Sequence, residues 1–479
     1  MIQYLITIGL ETHVQLKTAT KMFCGCSLAF GEEPNTTVCP VCMGYPGALP
    51  VMNREAVRLT VLSGLMLGCT ISRHSTFDRK NYFYPDMSKD YQISQNTHPL
   101  CLGGGVTIET PSGPKRIRIN HIHLEEDAAK INHYARFSGV DFNRCGTPLM
   151  EIVSEPDLAS PDEAMAYLQS LKQSLVYAGV SDCNLEEGNM RSDVNISVRP
   201  AGQEQLGTKV EIKNMNTFKG IYAALEYEIA RQLAVVKGGG TLVQETRRWE
   251  PELGETQSMR SKENAHDYRY FPEPDLVPVE LPEALVESWR AQLPEAPAAR
   301  RERMMAEYGI PAYDAGVLAD AKENADFFEA AARACKPGLG KTVSNWFMTE
   351  VMRLLSETGT GVGACALTPA ALAELVALVD DGVINGPTAK ELLPEVFAKG
   401  GSPRSIVNER GLAQVSDVSA LEAFIAQALA DNPKSVEDFR AGKKAAAGFL
   451  VGQVMKLSKG KADPKQVGRL VAERLAEGR

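Results

Sequence analysis

Near its N-terminus the chain reads Ile8-Gly-Leu-Glu-Thr-His-Val-Gln15. Read as a strand, it puts Glu11, His13 and Gln15 on one face and Leu10, Thr12 and Val14 on the other, because side chains two apart share a face. A carboxylate beside an imidazole can hold a divalent metal. For this octapeptide alone a solvated strand face is the alternative, but the pattern recurs. Residues 116–127, Arg-Ile-Arg-Ile-Asn-His-Ile-His-Leu-Glu-Glu-Asp, place His121, His123 and Glu125 on one parity, with Glu126 and Asp127 following. Consecutive acids repel unless a cation offsets them; otherwise the run is a solvated acidic turn. Glu151 falls inside an apolar run, where a carboxylate is costly unless paired, protonated or ligated. Val194, Ile196 and Val198 alternate with Arg191, Asp193, Asn195 and Ser197. In Thr208–Asn214, Lys209, Glu211 and Lys213 share the face opposite Val210 and Ile212.

A further stretch, Phe77–Gln95, mixes aromatic residues with Arg79, Lys80 and Lys89 and the amides Asn81, Gln92 and Gln95. Such a mixture suits a phosphate and a base or ribose; the alternative is a surface loop with snorkelling lysines. Five candidate strands, with Lys80, Lys89, Arg191 and Lys213 near them in sequence, predict a concave sheet lined by carboxylates and cations. Mg²⁺ and a nucleoside triphosphate need that composition. No G-x-x-x-x-G-K-[ST] occurs, so a P-loop is excluded.

A second kind of chemistry lies at Cys24-Gly-Cys26 and Cys39-Pro-Val-Cys42, separated by twelve residues. Two close cysteine pairs in a Gly- and Pro-rich loop can set four thiolates around a structural zinc, with no position left open for catalysis. Four unrelated core cysteines are the alternative.

The elements that must position these residues follow the same patterns. A helix is expected over 53–68, capped by Asn53 and stopped by Gly68, and another over 160–179, capped by Ser160 with Pro161 in its first turn. The strands at 190–198 and 208–214 are expected to pair antiparallel. Prolines 272, 274, 278 and 282 mark a rigid exit, after which the composition turns helical and alanine-rich. Helices are expected at 298–308, 319–334, 342–356, 369–381, 419–430 and 464–477. The expected division is 1–293, a helical domain at 294–406 and a small helical tail domain at 407–479. In a chain of 479 residues several cores are expected. No run of 18 apolar residues occurs, and no basic, apolar-cored leader precedes the first strand. Ten cysteines, six of them single, fit a reducing compartment, and the chain is expected in the cytoplasm. The net charge is −9, yet residues 407–479 hold 12 Lys and Arg against 9 Asp and Glu, so a tail of +3 follows a body of −12. That imbalance permits a nucleic-acid contact at the tail without requiring one.

The motifs Ile8–Leu16, Phe77–Gln95, His123–Lys130, Thr147–Asp157, Glu186–Asn195, Lys209–Phe218, Asp267–Asp275 and Gly448–Gly460 closely resemble those of the B subunits of tRNA-dependent aspartyl/glutamyl amidotransferases. The resemblance spans essentially the whole chain. It implies an α+β protein whose N-terminal cradle, built on antiparallel sheet and related to glutamine synthetase, is followed by all-α domains that contact tRNA. It also implies that ATP phosphorylates the side-chain carboxylate of Glu-tRNA(Gln) or Asp-tRNA(Asn), and that ammonia then displaces the phosphate. On that footing Glu11, His13, Glu125, Glu126 and Glu151 are expected to carry catalysis, as Mg²⁺ (or Mn²⁺) ligands or their neighbours. Lys80, Lys89 and Arg191 are expected on phosphates, with Asp193 and Glu211 as further cofactor-binding members. The cysteine site occurs in part of the family. A glutaminase A subunit and a small C subunit are the expected partners, since none of the six lone cysteines sits in a recognisable nucleophile setting. Two other readings remain: a free-standing ligase for a small acid, to which the C-terminal helices would be superfluous, and a tRNA-binding scaffold, to which the acid-lined strands would be.

Overall fold

The structure, a computed structural model, describes residues 2–28, 31–261, 268–413, 418–440, 443, 445–458, 462 and 464–477. It forms two units, Met1–Ala296 and Pro297–Arg479. Asp267 of one quoted motif, residues 459–460 of another, and the tail residues Lys444, Lys459, Lys461 and Arg479 lie outside the described residues.

The first unit is built around β1 (Tyr4–Gln15), which lies inside a ten-stranded sheet. On one side β1 pairs with β5 (Pro148–Ser154), and β5 with β4 (Gly113–Glu126). On the other it pairs with β6 (Met190–Pro200), followed by β7 (Val210–Lys213), β8 (Glu245–Glu250) and β9 (Glu255–Ser261). All these neighbours run antiparallel except β7 and β8, which are parallel. A parallel pair needs a crossover, and the helix α3 (Phe218–Lys237) supplies it. The antiparallel pairing expected for 190–198 and 208–214 is that of β6 with β7.

Period-two alternation decides which face is buried. Ile8, Leu10 and Val14 of β1, Met150 and Ile152 of β5, and Val194 and Ile196 of β6 are almost wholly buried in one apolar cluster. The cluster includes residues of α1 (Arg54–Met66), α2 (Pro161–Tyr177) and α3, whose own apolar stripes meet the sheet. Each fully buried Leu or Ile contributes about 1.5–3 kcal/mol. Helix starts follow their caps: Asn53 Oδ1 accepts from the amides of Glu55 at 2.9 Å and Ala56 at 3.4 Å, and Ser160 Oγ accepts from Glu163 at 3.2 Å.

A three-stranded sheet, β2 (Asp78–Asn81), β3 (Tyr91–Ser94) and β10 (Phe271–Pro272), stands beside β4. It is tied there by Ser94 Oγ, which donates to Glu125 Oε2 at 3.3 Å, and by the Leu124 amide, which donates to Gln95 Oε1 at 3.0 Å. The Phe77–Gln95 segment is thereby brought against the polar face of the large sheet.

In the second unit the helices include Pro297–Tyr308, Lys322–Ala334, Pro369–Asp380, Val418–Asp431 and Pro464–Glu477, within a few residues of the periodicity reading. One apolar cluster spans Met304 to Val407 and a second Leu421 to Leu475. Among the described residues no helix is long and apolar enough to cross a membrane.

Candidate active site

Register assembles the site. His13 of β1 stands opposite Glu151 of β5, and Glu151 opposite His123 of β4. Directly opposed side chains project from the same face, so three strands deliver imidazole, carboxylate and imidazole in a row. His13 Nε2 lies 3.3 Å from Glu151 Oε2 and 4.0 Å from Glu125 Oε1. His123 Nε2 lies 3.4 Å from the same Glu151 oxygen and 3.6 Å from Glu125 Oε2. One ligand atom each from His13, Glu125 and Glu151 falls within 4.8 Å of the others. These donors fit a divalent cation, and the mixture of imidazole and carboxylate suits Mn²⁺ at least as well as Mg²⁺. His123 Nδ1 is buried without a hydrogen-bond partner.

The electrostatics agree with a site built for positive charge. Burial pulls the pKa of His13 down, but the hydrogen-bonded Glu151 and the charge of Glu125 carry it above the ordinary value. For His123 the hydrogen-bonded Glu125 does the same against burial. Burial pushes Glu151 up, yet the two imidazoles and Lys80 hold it well below the usual carboxylate range. Glu11, two residues back on β1, accepts from Asn195 Nδ2 at 2.8 Å. Burial, then the charge of Glu151, raises its pKa.

Cations flank this row. Lys80 Nζ sits 4.9 Å from the centre of the Tyr268 ring. Burial lowers its pKa, and the charge of Glu125 more than restores it. Lys213 Nζ donates to Asp193 Oδ2 at 2.7 Å and lies 3.2 Å from Glu211 Oε1. Arg191 Nη2 donates to Asp127 Oδ1 at 2.7 Å, and Gln15 Nε2 to Asp127 Oδ2 at 3.0 Å. Two adjoining clefts of about 430 and 420 Å³ share His13, Lys80, Glu125, Asp193, Lys213 and Tyr268. Arg191 lines the first of them, and Glu11, Glu151 and Glu211 the second.

Glu126 and Lys89 stand elsewhere. Neighbouring residues of a strand point to opposite faces, so Glu126 turns away from Glu125. Its Oε1 is buried against Lys89 Nζ and accepts from the Ile93 amide at 3.0 Å. The structure does not bring these two residues, expected near the metal and phosphates, into the His13 group. They line a separate cavity beneath the cysteine loop, together with Lys21, Cys24 and Cys42. In that loop the sulfurs of Cys24, Cys26, Cys39 and Cys42 lie within 4.8 Å of one another, and none is in a disulfide. The Cys24 thiol donating to it, helped by the Cys39 amide and the Lys21 ammonium, lowers the Cys42 thiol to about 4. A pre-formed thiolate among three further thiols fits zinc.

Several residues of the site carried no assigned role in the sequence. His123 and Lys213 shared the right parity with Glu125 and Glu211, and that signal was sufficient to find them. Tyr268 and Tyr270 come from a distant segment. Asn81 captures it by donating from Nδ2 to the carbonyls of Tyr268 at 3.0 Å and Arg269 at 2.8 Å. No local pattern announces that contact.

Residues 6–287 match the model of the GatB/GatE catalytic domain, and residues 326–475 the model of a GatB domain. The chain belongs to the GatB/GatE family. It is 53% identical over 476 residues to the B subunit of the aspartyl/glutamyl-tRNA(Asn/Gln) amidotransferase from Caldanaerobacter subterraneus, covering 99% of this chain and 100% of that one. The B subunit of the same name from Carboxydothermus hydrogenoformans is 49% identical over 482 residues, with both chains covered in full. The catalytic-domain match thus contains the whole His13–Glu151–His123 row and both clefts, and the GatB/GatE chain keeps α+β architecture there and helices beyond.

Proposed function

We propose that this GatB/GatE-family chain is the activating subunit of a tRNA-dependent amidotransferase, a glutamine-hydrolysing carbon–nitrogen ligase. In this reading ATP phosphorylates the side-chain carboxylate of Glu-tRNA(Gln), Asp-tRNA(Asn) or both. Ammonia then converts the acyl phosphate to the amide. The observation that carries the proposal is the row His13, Glu151, His123, with Glu125 beside it, between clefts bordered by Lys80 and Lys213.

A carboxylate is a poor acyl donor because oxide is its leaving group; phosphorylation supplies a stable one. A divalent cation held by His13, Glu125 and Glu151, with Glu11 and His123 beside them, would supply charge neutralisation between carboxylate and γ-phosphate. The chain's own groups do the rest. Lys80 presents an ammonium to transferring phosphate oxygens. Arg191, fixed by Asp127, adds a guanidinium along the first cleft, and Asp193 and Glu211 hold Lys213 in place. Glu126 and Lys89, outside the group, support the wall beneath the cysteine loop. Four thiols fit a structural zinc.

The names of the relatives support the partners: a separate glutaminase A subunit supplies ammonia, and a small C subunit joins the two. In this assignment residues 1–293 form the activation domain, 294–406 the helical domain and 407–479 the tail that contacts tRNA, all in the cytoplasm. The test is ADP formation by the assembled enzyme with ATP, Mg²⁺ and, in turn, misacylated tRNA, uncharged tRNA and free glutamate. ADP with misacylated tRNA alone is expected. Equal ADP with free glutamate would overturn the proposal in favour of a small-acid ligase.

A further inference from the structure

The first cleft is lined by four carboxylates: Asp86, Glu125, Asp127 and Asp193. Three are committed. Glu125 belongs to the His13 group. Asp127 accepts from Arg191, Gln15 and the Ala128 amide. Asp193 accepts from Lys213. Asp86 differs, because its Oδ1 is buried and has no hydrogen-bond partner. An unsatisfied buried acceptor costs about 1–3 kcal/mol, so its persistence at the edge of a reaction cleft calls for an explanation.

Asp86 is held rigidly. Its carbonyl accepts from the Ala129 amide at 2.9 Å, next to Asp127. Two residues on, Ser88 Oγ donates to the Cys42 carbonyl at 2.6 Å. The charged and titratable groups around the carboxylate are Asp127, Arg144 and the Tyr82 phenol. Burial, with Asp127 adding to it, raises its pKa and makes it a better proton acceptor than an exposed aspartate.

Building on the function proposed above, we propose that Asp86 is the general base that takes the proton from the attacking amine. The nitrogen lone pair forms the C–N bond to the carbonyl carbon of the acyl phosphate. The C–O bond to phosphate breaks, and phosphate leaves with that electron pair. The nitrogen, now cationic, gives one proton to Asp86 Oδ1, which releases it to water after the amide departs. Phosphorylation of the carboxylate needs no such base, so Asp86 acts in the second half of the reaction.

The experiment uses the assembled enzyme carrying Asp86→Asn, with misacylated tRNA, ATP and ammonium chloride as nitrogen source. Amide and ADP are both measured. The amide-to-ADP ratio should fall by about 10²-fold, the usual scale for a general base, while ADP formation persists. Hydroxylamine, whose nitrogen is far less basic and loses its proton more readily, should return the product-to-ADP ratio to within a few-fold of the parent. An unchanged ratio with ammonia, including a parallel loss of amide and ADP, overturns the inference alone. A parent enzyme that forms no ADP with misacylated tRNA overturns the proposed function and this inference with it.

Discussion

Glu151→Gln and Glu126→Gln make a matched pair, because the same chemical change is made at two buried glutamates that the sheet sends to different places. Glu151 Oε2 is within 3.4 Å of two imidazole nitrogens and belongs to the group that could hold a metal. Its replacement keeps shape and removes one negative charge. Two unit charges 4 Å apart interact by about 4 kcal/mol at an effective dielectric of ~20, and water replaces part of what is lost. The outcome should resemble loss of one preorganised polar group, about 10²–10³-fold or roughly 3–4 kcal/mol. Mn²⁺ affinity, read by titration calorimetry or by the spin-resonance signal of free Mn²⁺, should weaken on that scale, with ADP formation falling in parallel. Glu126→Gln instead strands the Lys89 ammonium, buried without its partner. Breaking such a pair costs about 3–5 kcal/mol. In the N-terminal unit that lowers Tm by on the order of 10 °C, while Mn²⁺ affinity stays within a few-fold. Equal losses of Mn²⁺ affinity in both variants, or none in Glu151→Gln, would refute the strand-parity reasoning.

Three other outcomes are expected. Purified, tag-free protein should hold about one zinc per chain, and Cys39→Ser should lose it and lower Tm before it slows chemistry; metal analysis and a thermal melt check this. A chain ending at residue 413 should bind tRNA more weakly and with a shallower dependence on salt, since each lost phosphate contact removes about 0.9 from the log–log slope; filter binding across a salt series reads it. Burial raises Asp127, but Arg191 and Arg144 hold its pKa below the ordinary value. Its contribution to stability is therefore present above the unfolded pKa of about 3.9 and is lost as pH falls through the folded value. Asp127→Asn should destabilise the fold at pH 7 by more than at pH 3, as urea midpoints at the two values would show.

Much of the site was legible because a strand has a strict two-residue period. Glu11 and His13, Asp193 and Glu211 could each be placed on a polar face from their apolar neighbours alone. The same rule, followed one residue further, separates Glu126 from Glu125; three acids in a row masked it, because a charge run reads as one cluster. Lys80 and Lys89 looked equivalent in one segment, but β2 carries Lys80 to the clefts while the turn before β3 tucks Lys89 under the cysteine loop. What lay beyond reach was long-range pairing. The register that aligns His13 with Glu151, and the capture of Tyr268 by Asn81, join residues far apart in sequence through backbone geometry that no local pattern encodes. The helices of the second unit were read to within a few residues because caps and prolines mark their ends. The order of the strands in the large sheet had no such marker.

The central claim is that the substrate carboxylate itself attacks ATP, and the fate of its oxygen tests this most directly. Misacylated tRNA bearing ¹⁸O in the side-chain carboxylate of its amino acid would be incubated with the assembled enzyme, ATP and ammonium chloride, and the released phosphate analysed by mass spectrometry. Phosphorylation followed by amine attack transfers one labelled oxygen to each phosphate released with an amide. Unlabelled phosphate, alongside normal amide formation, would contradict the account.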